Sequence, residues 1–414
     1  MNEDRHIYYG WWLTIGLFII GMLGPLGRYS VAAFIPFFST ELGWSRASIG
    51  LGQSISMWMY AFFVLLAGFL IDRIGSRKTF LVGGFLTAVG WIFLSRMESL
   101  WGLYFSYGIL MALPVSMTHL VPLQATARKW FGKKAGIIGG IMAAAFSVGS
   151  AIFMPVITGM AGSFGWRFTS LVCGIGFGAI IMSISFFVIR DTPESMGLQI
   201  DGNNSSFSSC DPDGSTISDI SWKISTVVRT LPLWLLFISY SMVGIPIQGT
   251  LASIIAWGVD TGSAATTAGL FMTAITVPSI VGKIGLGWCG DRYGKRKILF
   301  LAPVLGMLVM LYGWQYVSTP QTLIIFAVLT GITYGGPLAL FAPFLGDVFG
   351  RANVGLLFGI LTLGHGLIGG SGPLIWGKIY EIYGSYNVAC LVCAVCYAVG
   401  AMCILFVRPV QSPK

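Results

Sequence analysis

Two cations lie where a membrane-crossing chain ordinarily carries none. Arg28 sits near the middle of the apolar run from Trp11 to Phe38, and Lys283 lies similarly deep in the run that ends before Asp291. A charge at the centre of a bilayer costs at least about 2.5 kcal/mol even on the most lenient insertion scales. No Asp or Glu lies deep in any long apolar run, so neither cation has a deep acidic partner in the sequence. An anionic substrate is the natural missing partner. A guanidinium offers a fork of N–H donors that matches a carboxylate, whereas an ammonium offers a point charge. His119 and His365 reach similar depths, and histidine is the side chain that changes charge near neutrality. Helical rise puts Arg28 roughly 15 Å from the outer end of its run and Lys283 roughly 12 Å from Asp291. Four such groups in one layer point to binding an anion and moving a proton. The chemistry is transport rather than catalysis, because no nucleophile–base set and no carboxylate cluster accompanies them.

Secondary candidates surround these four. Tyr29 adjoins Arg28, Ser279 lies one turn before Lys283, and Tyr334 lies deep in a later run. Gln53, Gln124, Gln248 and Asn353 are further polar side chains that could line the path. The nearest acid to the layer is Asp260, near an outer helix end. Lys283, His119, His365 and Asp260 are therefore the candidates for proton coupling. Arg28 follows Gly24-Pro25-Leu26-Gly27, which should break its helix, and broken helices mark substrate sites in carriers. The glycines on both sides of His365 suggest the close approach of another helix or of a ligand. No metal or cofactor is expected. Two histidines without nearby acids or thiols do not fill a coordination shell. Cys390, Cys393 and Cys396 have no fourth ligand nearby and read as small apolar filler. No GxxxxGK[ST] motif offers an ATP site.

The elements that must position these residues are helices in a bilayer. Of 414 residues, 55% are hydrophobic and only 9% charged, against about 25% charged in soluble domains. Twelve runs are long enough to cross: 11–37, 49–71, 79–95, 101–124, 135–160, 166–189, 231–257, 265–288, 298–316, 320–345, 352–378 and 384–407. They are continuous rather than alternating, which excludes a β-barrel. The first is too long, and too rich in aromatics, for a removable signal peptide. The expectation is an all-α polytopic membrane protein.

The net charge of +9 reflects topology rather than nucleic-acid binding. Arg73, Arg77 and Lys78 follow the second run; Arg128, Lys129, Lys133 and Lys134 the fourth; Arg292, Lys295, Arg296 and Lys297 the eighth. The alternate loops hold little beyond Arg46, Arg96 and Arg167. The positive-inside rule makes the basic loops cytoplasmic, with both termini on that side. Residues 190–230 are polar and rich in Ser, Asp, Asn and Gly, the composition of a flexible linker. They separate a first six-helix bundle, 1–189, from a second, 231–414. The sequons at Asn203 and Asn204 fall on this cytoplasmic linker, so glycosylation is not expected there.

One motif appears in both halves. Gly68, Asp72-Arg73, Gly75 and Arg77-Lys78 repeat as Gly287, Asp291-Arg292, Gly294 and Arg296-Lys297, each a GxxxDRxGxRK string. The first glycine permits close helix approach, and the second permits a tight turn. The Asp and the basic cluster could pair across the cytoplasmic seam between helices as a conformational latch.

This duplicated motif resembles the signature of the major facilitator superfamily. The resemblance implies two six-helix bundles that rock about a central site. A narrower set is similar to the bacterial branch of the monocarboxylate transporters and to their oxalate–formate antiporter relatives. It comprises Tyr8-Tyr9-Gly10-Trp11-Trp12, Gly43-Trp44-Ser45-Arg46, Arg128-Lys129-Trp130-Phe131, Gly165-Trp166-Arg167 and Arg190-Asp191-Thr192-Pro193-Glu194. That resemblance implies a small carboxylate moved with a proton or in exchange, in a bacterial plasma membrane, by a monomeric unit. The family's acid and arginine, one turn apart in span eight, correspond here to Ser279 and Lys283. Proton-coupled transport of a monocarboxylate, exchange of a dicarboxylate, and carriage of another anion such as a sulfonate stay open.

Overall fold

Residues 8–131, 135–200, 224–349 and 354–407 are described by the computed structural model of the chain. Among them no strand occurs, and twelve helices are long and apolar enough to cross a bilayer. They are α1 Tyr9–Glu41, α2 Arg46–Ile74, α3 Ser76–Ser95, α4 Leu100–Trp130, α5 Ile137–Phe164 and α6 Trp166–Phe187. In the second half they are α7 Leu231–Asp260, α8 Gly269–Tyr293, α9 Lys295–Tyr316, α10 Pro320–Phe349, α11 Leu356–Tyr383 and α12 Asn387–Phe406. The all-α, twelve-span expectation is met. Most of the expected linker, with Cys210 and both sequons, lies outside the described residues, as does Asn353.

Local chemistry sets the helix ends. Ser45 caps α2 by accepting the Ser48 N–H at 3.1 Å. Within the duplicated motif the chain reverses at Gly75 (φ 88°) and Gly294 (φ 100°), backbone angles that glycine alone adopts without strain. The next arginines then brace neighbouring helices. Arg77 Nη2 donates to the Phe186 carbonyl at 2.7 Å, and Arg296 Nη2 to that of Leu405 at 2.5 Å. Both satisfy carbonyls in a last helical turn, which have no partner within their own helix.

Three spans are interrupted. α1 breaks between Leu23 and Leu26, at the Gly24-Pro25 step, where proline supplies no N–H and disturbs the preceding turn. α4 breaks at His119, whose backbone is extended (φ −101°, ψ −170°). α11 breaks around a short 3₁₀ turn, Gly369–Ser371. Only the first of these breaks was expected from the sequence.

The two halves meet along three seams: α1 on α7, α2 on α11 and α5 on α8. At the end of the molecule opposite the basic loops, here called the far end, the seams are tight. Gly50 lies against the Pro373 carbonyl, and Gly377 against the Arg46 backbone. Arg46 Nη2 pairs with Asp260 at 2.9 Å, and its Nη1 donates to the Tyr386 hydroxyl at 2.9 Å. Its guanidinium also covers the Tyr380 ring at 4.6 Å. Burial pushes the Tyr386 hydroxyl up to about 12, so it serves as a neutral partner. Hydrogen bonds between the halves continue inward: Leu374 N–H to Ser54 Oγ (3.2 Å), Thr273 Oγ1 to the Ala151 carbonyl (2.8 Å) and Trp58 Nε1 to the Leu367 carbonyl (2.8 Å). Among the described residues, none joins the halves on the basic side of Lys283. Gly68, Gly140 and Gly359, on that side, have nothing within 4 Å of the position a side chain would take.

Candidate functional site

The central layer is assembled from the interrupted helices and the unbroken spans beside them. The α1 break starts a new helix, Leu26–Glu41, that carries Arg28 and Tyr29. Arg28 is only 6% exposed. Its Nη2 donates to the Met57 thioether at 2.7 Å, and its guanidinium lies 4.5 Å from the Tyr60 ring and 5.5 Å from that of Tyr29. A thioether is a weak acceptor. Arg28 Nε is buried with no partner. The Arg28 backbone carbonyl, by contrast, is held by the Tyr107 hydroxyl from α4. The position of Arg28 is therefore fixed, while most of its donor capacity is unspent.

His119 follows from the α4 break. Its Nδ1 is 2.7 Å from the Tyr60 hydroxyl, and its ring meets Phe146 of α5 edge-on at 6.1 Å. Phe146 packs in turn on Tyr29 at 4.9 Å, so one aromatic ring separates the histidine from Tyr29. In the second half, His365 Nε2 lies 3.1 Å from Gln248 Nε2, and its Nδ1 lies 3.2 Å from the Tyr240 carbonyl. Gln248 Oε1 accepts from the Tyr29 hydroxyl at 3.3 Å, across the seam between the halves.

Lys283 forms a neighbouring cluster. Its Nζ donates to Ser147 Oγ of α5 at 2.8 Å and to the Ala143 carbonyl at 3.5 Å, and lies 5.8 Å from the Tyr334 ring. Ser279 Oγ is 3.2 Å from Ser147 Oγ. The ammonium is thus held by neutral oxygens from the opposite half, with no carboxylate among the described residues beside it. The structure brings Arg28, Tyr29, His119 and His365 into one connected layer, and Lys283, Ser279 and Tyr334 into a cluster beside Ser147.

Other expected residues fall elsewhere. Asp260 is at the far end on Arg46, apart from the central layer. Gln124 donates to the Gly139 carbonyl at 3.3 Å, joining α4 to α5. Of the expected latch, Arg77 and Arg296 bind carbonyls within their own halves. Arg73 and Arg292 lie over aromatic rings of their own helices. Asp72 and Asp291 make no ion pair among the described residues, and the close approach expected at Gly68 is not made in this conformation. Gly287 lies in α8 one turn before Asp291. Sequence reasoning missed Met57, Tyr60, Phe146, Ser147 and Tyr240. Tyr60 and Tyr240 carried a signal, since each is a polar-tipped ring well inside an apolar run.

A polytopic bundle of two halves, tight at one end and meeting at a buried cationic layer, is the architecture of a membrane carrier. The family model for the Major Facilitator Superfamily matches residues 17–258 and 233–414, and the chain belongs to that family. It is 22% identical over 402 residues to the oxalate:formate antiporter of Oxalobacter formigenes, covering 96% of this chain and 91% of that protein. It is 23% identical over 436 residues to monocarboxylate transporter 12 of Mus musculus, covering 98% and 87% respectively. Among solved structures, a D-xylose-proton symporter superposes with a TM-score of 0.75 at 11% identity, covering 98% of this chain and 99% of that one. A point mutant of the nucleoside transporter NupG gives 0.74 at 14%, covering 96% and 99%. These likenesses establish the fold. The protein is a multi-pass membrane transporter of small organic substrates.

Proposed function

We propose that the chain carries small organic anions by alternating access, with Arg28 as the principal anion-binding group. The observation that carries this reading is the Arg28 guanidinium: buried, fixed in place and, among the described residues, partnered only by a thioether and aromatic faces, with Nε unpartnered. A carboxylate would supply the strong, forked acceptor that this fork lacks. Lys283, beside Ser147, Ser279 and Tyr334, supplies a second positive charge. The similarity to a monocarboxylate transporter and to an oxalate:formate antiporter supports the same substrate class. Coupling to a proton, with His119 and His365 as carriers, is the form we favour for a monocarboxylate. A dicarboxylate in exchange is the second reading, because two cations balance a dianion. The transporter works as a monomer in a bacterial inner membrane, with the basic loops and both termini cytoplasmic. The conformation described is then inward-facing: closed outside by Arg46 and Asp260, and unlatched inside.

The test is uptake into proteoliposomes of pyruvate, lactate, formate and oxalate under an imposed pH gradient, with and without internal counter-anion. Proton-driven accumulation without counter-anion is expected. Strict dependence on internal anion would select exchange. No uptake or binding of any carboxylate would sink the anion reading.

A further inference from the structure

We infer that Gln248 is the positioning residue that links a proton on His365 to an anion on Arg28, by reversing a single hydrogen-bond chain. The inference rests on the anion reading above. The chain runs Tyr29 Oη–Gln248 Oε1 (3.3 Å), Gln248 Nε2–His365 Nε2 (3.1 Å) and His365 Nδ1–Tyr240 carbonyl (3.2 Å). Its direction is determined link by link. A carbonyl only accepts, so His365 Nδ1 carries a hydrogen. In the neutral ring Nε2 then accepts, which requires the Gln248 amide NH₂ to face it. The amide oxygen is left for Tyr29, whose hydroxyl must donate to it.

A second proton on His365 makes both ring nitrogens donors. Gln248 must then present its oxygen to the ring and its NH₂ to Tyr29. The Tyr29 hydroxyl, now accepting, must direct its own hydrogen elsewhere. A carboxylate on Arg28, whose guanidinium lies 5.5 Å from the Tyr29 ring, is the acceptor that the site would provide. Proton and anion thereby favour each other, and linkage makes the effect reciprocal.

The surroundings leave the amide as the member free to turn. His365 lies against the Tyr240 ring at 4.7 Å, and Gly244 lies so close that a methyl there would collide with Nδ1. Tyr29 is held against Phe146. Turning the amide of Gln248 exchanges oxygen for nitrogen without changing its volume. The titratable and charged groups facing this chain are Arg28 and Tyr29 from α1, Tyr60 from α2, His119 from α4 behind Tyr60 and Phe146, Tyr240 from α7 and Tyr334 from α10. None is a carboxylate. Arg28 also acts on His365 through space, and an anion that neutralises it would give some linkage without any relay. Removing the amide leaves that route intact, so the two are separable.

The experiment measures pyruvate affinity of the purified full-length protein from about pH 5 to about pH 8, the interval in which histidine titrates. In the wild type, affinity is expected to rise as pH falls, approaching about tenfold per pH unit, the limit for one linked proton. In Gln248→Met the rise is expected to fall below about twofold per unit, together with weaker binding. Tyr29→Phe keeps the ring on Phe146 while removing the hydroxyl, and should flatten the profile equally. It provides a second arm should the methionine variant fail to fold. A wild-type slope retained in either variant overturns the relay and assigns the linkage to the charge of Arg28 or to a proton on His119. Pyruvate binding with no pH dependence in the wild type also overturns it, while leaving the anion reading standing. Wild-type protein that binds none of pyruvate, formate and oxalate removes the anion reading, and the inference with it.

Discussion

Arg28 rests on a sulfur and two aromatic faces in a low-dielectric layer. Cation–π contacts of this kind reach about 2 kcal/mol when desolvated, which lessens the cost of burial without using the planar N–H fork. Substitution Arg28→Gln should therefore weaken carboxylate binding by about 30-fold or more, since losing one partner of a buried charge pair costs about 2–5 kcal/mol. Arg28→Lys should retain the charge but lose the fork, leaving affinity intermediate. Calorimetric titration of both variants checks the order, and an Arg28→Gln protein that binds like wild type refutes the assignment. The cations and histidines of the layer were legible in the sequence because charge stands out against apolar runs. Their partners were not. Phe146 looks like any lipid-facing aromatic, and the hydroxyls of Tyr60 and Tyr240 mark their depth but not the way they face until the rotation of each helix is known. In a soluble helix the polar face reveals that rotation; in a bilayer both faces are apolar, and the signal vanishes.

Closure at the far end depends on helix surfaces as well as on one ion pair. α2 meets α11 where Gly50 faces the Pro373 carbonyl, so a larger side chain cannot be accommodated without separating the seam. Gly50→Leu should hold the far end open and reduce transport at least tenfold. A cysteine introduced at Ser54, which accepts the Leu374 N–H across the seam, should then react with a membrane-impermeant thiol reagent added from that face. Continued protection of the cysteine would show that the seam tolerates the leucine. Asp260→Asn should act more gently. The Arg46–Asp260 pair is partly exposed, so its loss should be worth about 1 kcal/mol or less, a shift of up to about fivefold in the closed-to-open ratio. The same labelling rate measures it. The helices themselves were readable: the first run was expected at 11–37 and is Tyr9–Glu41, and the ninth and tenth, expected at 298–316 and 320–345, are Lys295–Tyr316 and Pro320–Phe349. The breaks at His119 and near Gly369 were not, although Pro114, Pro122 and the flanking glycines were visible. Proline and glycine also occur in unbroken spans such as α5 and α7, so their presence alone does not locate a break.

At the scale of the whole molecule, we propose two tasks for the duplicated motif, of which only one is engaged here. Arg77 and Arg296 tie α3 to the end of α6 and α9 to the end of α12, each within its own half. Asp72 and Asp291 stand without an ion pair among the described residues, on a face where no hydrogen bond between the halves forms. A rocking transporter must close that face when the far end opens. The two carboxylates are then the groups positioned to meet the basic loops of the opposite half. Their neutralisation should cost the far-open state and leave the present one unchanged. Asp72→Asn with Asp291→Asn should therefore bias the population toward far-end closure, by about fivefold for each pair worth about 1 kcal/mol. Spin labels replacing Phe69 on α2 and Leu356 on α11, both exposed side chains, would report the separation of the basic ends directly. The double variant should show the long distance enriched over wild type, with a short-distance population that shrinks further in high salt. An unchanged distribution would mean that the aspartates serve only their own loops, and that closure of the basic face is driven by helix packing alone.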